Sequence, residues 1–116
     1  MKKDLDGLVA DYVKNAVRHG EATIEGDFKA ANNSHDKIIK ALSEIRKYGN
    51  EGDIALLALI DDDNDSVKCW AATHSLKYHK EKSEQILLYL SKKSGPIAFN
   101  AEMVLSEWKN GTLEIL

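Results

Sequence analysis

The apolar residues of this chain recur at the spacing of an α-helix almost from one end to the other. The most regular stretch follows Asp27 at intervals of 3, 4, 3, 4 and 3 residues: Phe28, Ala31, His35, Ile38, Leu42 and Ile45. Because residues three and four apart share one face of a helix, this stripe predicts a long amphipathic helix. The helix should end at Lys47-Tyr48-Gly49, where a glycine can take the left-handed cap conformation.

A helix of similar length is predicted before it. Asp4 or Asp6 can cap its start, and its apolar stripe runs to about residue 25. Gly20 either ends this helix after His19 or belongs to the stripe together with Ile24. The four-residue spacing of the glycine and the isoleucine favours one long helix, with Gly20 at a close crossing with another element.

The segment IALLALI, from 54 to 60, is apolar on all sides. It predicts an interior helix that its neighbours cover around most of its circumference. Asn50 or Gly52 can open this helix, and the acidic run DDDND, from 61 to 65, ends it. The helix after the acidic run can be capped by Asp63, Asn64 or Asp65.

The helix after this acidic turn carries apolar residues on two faces. One face holds Val67, Ala71, His74 and Tyr78, and the other holds Cys69, Ala72 and Leu76. We therefore expect this helix to contact neighbours on two sides, with its two adjacent alanines allowing a close approach.

Two more helices complete the pattern. After a polar segment at 79–83, a short helix is predicted by Ile86, Leu87, Leu88 and Leu90. Ser94-Gly95-Pro96 starts the last helix, because a proline in the first turn loses no helical hydrogen bond. Its buried stripe should be Ile97, Ala101, Val104, Leu105 and Trp108. Asn110-Gly111 ends it, and the tail at 112–116 is apolar enough to pack on the body or to fray.

These segments predict an all-α fold of about six helices in three antiparallel pairs, with residues 1–116 forming one domain. Seven glycines and one proline are few for a globular chain of 116 residues, as expected for helices. The single cysteine, Cys69, excludes an intramolecular disulfide and suits a reducing compartment. The N-terminal MKKDLDG lacks the apolar run of a signal peptide, and no segment approaches the roughly 18 apolar residues of a membrane span. We therefore expect a soluble, cytoplasmic protein without a membrane partner.

The charge balance bears on the class of partner. The net charge is −3, from 16 basic and 19 acidic residues, and all but two of the basic residues are lysine. This balance argues against nucleic acid as the main partner, since phosphate binding needs a concentrated basic surface and base contacts favour arginine. The charge balance does not exclude a local basic patch. We expect a monomer or a weak dimer.

The ten residues D-N-D-S-V-K-C-W-A-A, from 63 to 72, resemble one unit of a HEAT-like repeat. In that family the acidic turn and the basic residue, Lys68 here, help to stack successive units. The resemblance implies a HEAT-like superhelix of helix pairs, a right-handed solenoid. The chain departs from the pattern at Ser75, where an apolar residue is commoner.

Three longer segments are similar to a family of small bacterial HEAT-like proteins of unknown function. They are GDFKAANNSHDKI (26–38), DNDSVKCWAATHSL (63–76) and GPIAFNAEMVLSEWKNG (95–111). Members of this family resemble predicted immunity proteins, which bind and neutralise a toxin made by the same bacterium. The resemblance implies a non-catalytic protein-binding role and carries no catalytic residues. The alternative that a HEAT-like scaffold allows is binding of damaged or structured DNA.

The first candidate site is the acidic turn, with the aspartates Asp61, Asp62, Asp63 and Asp65. Three of them stand at the first ligand positions of a calcium loop, but Ser66 replaces the glycine that the loop needs and Ala72 replaces its bidentate glutamate. No metal site is therefore expected. The turn is either a plain acidic connection between helices or a patch that docks a partner electrostatically.

The second candidate site is a polar cluster on the second helix, with Lys29, Asn32, His35 and Asp36. Their spacing lets these side chains converge on one face. His35 also lies on the apolar stripe, where a lone histidine is more often a hydrogen-bonded core residue. His35 is therefore either a structural residue or part of a binding site, and an enzyme function would rest only on Asn32, His35 and Asp36.

The third candidate site is the pair Trp70 and His74, one turn apart, with Lys77 after them. They mark either the edge of a binding groove or part of the core. Cys69 lies about 140° from His74 around the helix axis, so the two cannot form a catalytic dyad, and we expect Cys69 to be a small buried residue. Glu102, near the stripe of the last helix, would need a partner if it were buried, and its pKa would then rise. No pattern in the sequence indicates catalysis or a cofactor.

Overall fold

The computed structural model describes residues 4–113, in which six α-helices are joined by short turns. The helices are α1 Leu5–Glu25, α2 Phe28–Arg46, α3 Asn50–Ala58, α4 Asp65–Ser75, α5 Lys80–Ser91 and α6 Pro96–Asn110. One turn of 3-10 helix, Leu59–Asp61, extends α3. Residues 4–113 contain no strand, and none of their helices is long and apolar enough to cross a membrane. The all-α fold predicted from the sequence is confirmed; most of the apolar tail lies outside the described residues.

Local capping fixes the limits of the first two helices. The Asp4 carboxylate accepts a hydrogen bond from the backbone N–H of Gly7, and the Asp27 carboxylate accepts one from the N–H of Ala30. Between the two helices, Gly26 has a positive φ of 76°, which a glycine adopts without strain. The limits predicted for both helices are confirmed.

Successive helices pack in antiparallel pairs. Leu8, near the start of α1, and Tyr48, just after α2, line the same surface depression. In the last pair, the indole of Trp108 near the end of α6 donates a hydrogen bond to the Glu84 carboxylate near the start of α5, at 3.0 Å. These contacts agree with the antiparallel pairing that the short connections predicted.

The middle pair, α3 and α4, turns at the acidic run. The Asn64 side chain caps α4 by accepting a hydrogen bond from the N–H of Val67 at 3.1 Å, which selects one of the three predicted caps. The Lys68 ammonium donates to the backbone carbonyl of Ile60 at 3.1 Å. Lys68 therefore ties α4 to the preceding 3-10 turn within one pair. The stacking of pairs into a right-handed solenoid stays a prediction.

Two apolar clusters form the core, and α4 contributes to both. The first lies between α1, α2, α3 and α4 and includes Tyr12, Ile38, Leu42, Ile45, Leu56 and Val67. The second lies between α4, α5 and α6 and includes Cys69, Ala72, Leu76, Leu87, Leu90, Ala101 and Leu105. The predictions that α4 contacts neighbours on two sides and that Cys69 is buried are confirmed.

The prediction of an interior helix at 54–60, covered by its neighbours around most of its circumference, is wrong. Among the described residues, only one stripe of α3 and its 3-10 extension is buried, namely Gly52, Leu56 and Ile60, and Ile54 is exposed. The reason is that α3 packs with α1, α2 and α4, and no helix within residues 4–113 covers its outer side. A short apolar helix at the edge of the domain therefore keeps part of its apolar surface in contact with solvent.

Three further residues lie in different surroundings from those the periodicity predicted. Phe28 is exposed as the first residue of α2, so the buried stripe of this helix starts one turn later, at Ala31. His35 is exposed and is not a core residue. Glu102 is also exposed, beside the buried stripe of α6 and not in it, and it needs no buried partner.

α1 crosses α4 closely at Gly20, as the sequence predicted. A Cβ atom on Gly20 would lie 2.6 Å from Cβ of Ser66 and 2.8 Å from its hydroxyl oxygen. The Ser66 hydroxyl donates a hydrogen bond to the carbonyl oxygen of Ala16 in α1, at 2.7 Å. The crossing is therefore held by a polar contact that only a close approach allows.

We expect Gly20→Ala to lower the free energy of unfolding by about 1–3 kcal/mol, because the added methyl group forces α1 away from α4. This loss opposes the gain that alanine brings to a helix interior. Urea unfolding followed by circular dichroism measures the change. In a Ser66→Gly background the same substitution should cost little, since the side chain that clashes is gone and Cδ1 of Ile97, at 3.7 Å, makes an ordinary contact. An equal loss in both backgrounds would place the cost away from the crossing.

Candidate binding groove

A groove of about 280 Å³ runs between one face each of α1, α4 and α6. It has room for one side chain or a small ligand. Each helix contributes residues three or four apart, which lie on one helical face. They are His19, Gly20 and Thr23 from α1, Ser66, Cys69, Trp70 and Thr73 from α4, and Ile97, Asn100, Met103, Val104 and Glu107 from α6.

The groove has a buried floor and a more exposed rim. Cys69 is buried in the floor, and burial raises the pKa of its thiol to about 11, so the thiol stays protonated at neutral pH. At the rim Met103 is exposed, whereas Trp70 and Glu107 are half-buried. Trp70 also packs against the first apolar cluster. It therefore occupies both positions that the sequence left open, in the core and at the edge of a groove.

Three histidine rings surround Trp70. The distances from its ring centroid are 5.0 Å to His19, 5.7 Å to His35 and 5.5 Å to His74. His19 meets the indole edge-on, at an interplanar angle of 89°. Burial and the neighbouring His35 lower the pKa of His19 from 6.5, so its ring is neutral at pH 7. Rings from α1, α2 and α4 thus hold the indole at the groove.

His74 is a structural residue and is not available to a partner, contrary to its place among the candidate binding residues. It is 4% exposed, and its Nδ1 lies 2.7 Å from the Tyr12 hydroxyl. Burial lowers the pKa of His74 to about 3, aided by the charges of Arg46 and His35. Burial also raises the pKa of Tyr12 well above its usual range. Two neutral groups therefore share a buried hydrogen bond between α1 and α4.

Arg46, the last residue of α2, joins three helices beside this hydrogen bond. Its guanidinium donates to the backbone carbonyl of His74 at 2.6 Å and to the Asp53 carboxylate at 3.1 Å. It also lies 5.0 Å from the centre of the Tyr78 ring. The ends of α2 and α4 and the start of α3 are therefore fixed relative to one another.

The acidic turn lies at one end of the groove. Asp63 lines a depression that shares Gly20, Ser66 and Ile97 with the groove. Asp63 and Asp61 are both exposed. The first candidate site is thus adjacent to the groove.

Two other aspartates of the turn have partners within the fold. The Asp62 carboxylate accepts a hydrogen bond from the N–H of Asn64 at 2.9 Å, which shapes the turn. The Asp65 carboxylate forms an ion pair with Lys93 at 2.9 Å and so connects α4 with the end of α5. These two residues support the turn itself.

The polar cluster predicted on α2 does not form in the described structure. Lys29, Asn32, His35 and Asp36 are all exposed. The nearest polar atoms of His35 and Asp36 are 3.6 Å apart, and within residues 4–113 no hydrogen bond joins either of them to Lys29 or Asn32. The His35 ring instead approaches Trp70 across the helices. Helical spacing therefore brought His35 next to Asp36 but did not join Lys29 or Asn32 to them.

The sequence did not single out several groove residues, among them His19, Met103 and Glu107. The last two follow Asn100 at helical spacing, beside the buried stripe of α6, and this spacing is a signal that could have grouped them. Nothing local marks His19, because its partner Trp70 belongs to another helix. Within residues 4–113, no group of three or more His, Cys, Asp or Glu side chains is placed to hold a metal ion.

We expect the stability that a neutral His74 provides to depend on pH. The unfolded chain takes up a proton on this ring near pH 6.5, whereas the folded protein does so only near pH 3. The contribution is therefore complete above pH 6.5 and is lost as the pH falls towards 3, by at most about 1.4 kcal/mol per pH unit.

His74→Gln removes this titrating group, so its free energy of unfolding should fall less steeply with decreasing pH than that of the wild type. Urea unfolding over a pH series measures both slopes. Gln85→Ala, at an exposed position of α5 that carries no titrating group, serves as the control and should keep the wild-type slope. Equal slopes for wild type and His74→Gln would contradict the assignment.

Comparisons with known proteins bear on the fold. No protein-family model matches the sequence, and no curated protein matches it. The chain is similar to the crystal structure of the protein RPA1889 from Rhodopseudomonas palustris CGA009, with a TM-score of 0.88 and 23% sequence identity. The match covers 99% of this chain and 96% of that chain. A likeness at this identity establishes a common fold, while the resemblance to HEAT-like immunity proteins stays a prediction.

Proposed function

We propose that the protein is a non-catalytic interaction module of the immunity type, which binds one protein partner in the groove between α1, α4 and α6. The observation that carries the proposal is the apolar surface at the groove. Trp70 and Met103 line it, and Ile97 connects it to a neighbouring depression that contains Ile24. Tryptophan is enriched at binding hot spots, and methionine adapts its shape to a partner.

Exposure of large apolar side chains next to the groove supports a protein partner. Ile24 is 65% exposed, and Phe99, one turn before Met103 on α6, is 61% exposed. Apolar patches of this kind on a folded domain commonly mark contacts with other proteins. A small ligand would occupy the groove and leave these flanking residues uncovered.

The charges near the groove indicate the chemistry of the partner. Glu21 and Asp63 lie in the depression at one end of the groove, and Glu107 lines the groove itself. An acidic surface of this kind attracts a partner with a basic surface. The similarity of the sequence to predicted immunity proteins suggests which partner: a toxin made by the same bacterium.

We expect Met103→Lys to weaken binding at least about tenfold, because it places a solvated charge in the apolar part of the interface. The product of a toxin-like reading frame adjacent to the gene is the partner to test, by isothermal titration calorimetry. Leu88→Lys is a matched control, since Leu88 on α5 is 49% exposed and Met103 is 44% exposed. Equal affinities for the two variants would remove the groove from the interface.

The acidic turn provides a second test of the same interface. We expect the double substitution Asp61→Lys and Asp63→Lys to weaken association, most strongly at low ionic strength where charges are least screened. Measurement of the association rate over a salt series checks this. Within the described part of the chain, Asp61 and Asp63 form no hydrogen bond or ion pair like those of Asp62 and Asp65, so the fold should tolerate the change. An unchanged rate at low salt would exclude the turn from docking.

Nucleic-acid binding is the second candidate function, and one surface favours it. A depression on the outer side of α1 and α2 is lined by Lys14, Lys37, Lys40 and Lys47. Asp11 and Glu44 line the same depression and offset part of this charge. Since affinity for a phosphate backbone grows with the number of cations that contact it, we place this function after protein binding.

A further inference from the structure

We propose that the groove takes up one cationic side chain of the partner, an arginine or a lysine, with its charged end at Glu107 and its stem against Trp70. This inference rests on the proposed function, because it names the chemical group that the groove recognises. It follows from the charge and position of Glu107, from the other residues that line the groove, and from the aromatic ring at its rim.

The position of Glu107 in α6 is one at which a carboxylate does not stabilise the helix. It lies in the last turn of α6, which ends at Asn110 with Gly111 as cap. The end of a helix carries the negative pole of the helix dipole, so a carboxylate there is unfavourable and a cation is favourable. Within residues 4–113, no hydrogen-bond donor or cation pairs with the Glu107 carboxylate, whereas Asp65 at the other end of the groove has Lys93.

The described residues that line the groove include no lysine and no arginine. His19 faces the groove as a neutral ring at pH 7, and the Cys69 thiol is protonated. Lys109, in the same turn of α6 as Glu107, is exposed and does not line the groove. Glu107 is therefore the charged group of the groove, and half-burial makes its field stronger than that of an exposed carboxylate.

Trp70 and Met103 can contact the charged end and the methylene stem of one cationic side chain. The ring of a tryptophan attracts a cation at its face, and a guanidinium also stacks on it. Met103 offers a polarisable apolar surface to the methylene groups. Thr73 and Asn100, which also line the groove, provide oxygen atoms that can accept hydrogen bonds. Aromatic ring, apolar stem contact and carboxylate together are complementary to arginine or lysine and not to an acidic side chain.

The test uses the whole protein and defined probes. Nα-acetyl-arginine amide and Nα-acetyl-lysine amide are titrated at pH 7, and the indole N–H resonance of Trp70 is followed by NMR. Nα-acetyl-citrulline amide has nearly the shape of the arginine probe without its charge. The indole of Trp108, which is bonded to Glu84 outside the groove, is the internal reference and should not move.

We expect the cationic probes to shift the Trp70 resonance and the citrulline probe to bind about tenfold more weakly, the difference that a charge-assisted hydrogen bond provides. Glu107→Gln should reduce affinity for the cationic probes by a similar factor. Glu102→Gln, an exposed carboxylate on the same helix that does not line the groove, should leave it unchanged.

Equal binding of the arginine and citrulline probes, or equal affinity of the wild type and Glu107→Gln, would overturn the inference while leaving the groove as a binding surface. The absence of any shift of Trp70 with all three probes would overturn it as well. In that case the protein-binding function is decided separately, by the comparison of Met103→Lys with Leu88→Lys.

Discussion

The close crossing of α1 over α4 is the contact on which the remaining architecture depends. Only a glycine at position 20 lets the backbone of α1 approach Ser66 closely enough for the serine hydroxyl to bond the carbonyl of Ala16. This approach aligns Tyr12 with His74 further along the two helices. It also sets the floor of the groove, since Gly20 and Ser66 both line it. One small residue thus sets both the packing of α1 on α4 and the shape of the groove surface beside this crossing.

Charged and polar groups fix the relative positions of helices that the apolar clusters alone would hold less strictly. Arg46 links the ends of α2 and α4 with the start of α3, and its charge helps to keep the buried ring of His74 neutral. A partly buried pair such as Arg46 with Asp53 adds little net stability, because desolvation offsets much of its Coulomb energy. Its main effect is to hold the end of α2 and the start of α3 in one geometry. The polar contacts of this domain therefore select one arrangement of helices that apolar burial alone would hold less strictly.

The limits of the helices were predictable because short-range chemistry sets them. Asp27 and Asn64 cap helices with their side chains, Gly26 takes a left-handed conformation, and Pro96 occupies a first turn, all within a few residues of each helix end. Exposure was less predictable, since it depends on distant segments. His35 shares the periodicity of buried neighbours, yet its ring lies exposed beside Trp70 of α4. The groove combines residues around 20, 70 and 103 in the chain, and no local pattern connects such positions.

The position of α4 between the two apolar clusters also determines how the domain loses its structure. In an extended array, each repeat contacts only its neighbours, and terminal repeats can open while the centre stays folded. Here Val67 belongs to one cluster, while Cys69 and Leu76 on the same helix belong to the other. Displacement of α4 therefore exposes both clusters together, and the chain should behave as one cooperative unit. The groove is lined by residues of α1, α4 and α6, so it exists only when all three helices are in place. A partner that binds the groove therefore binds the fully folded protein and stabilises it.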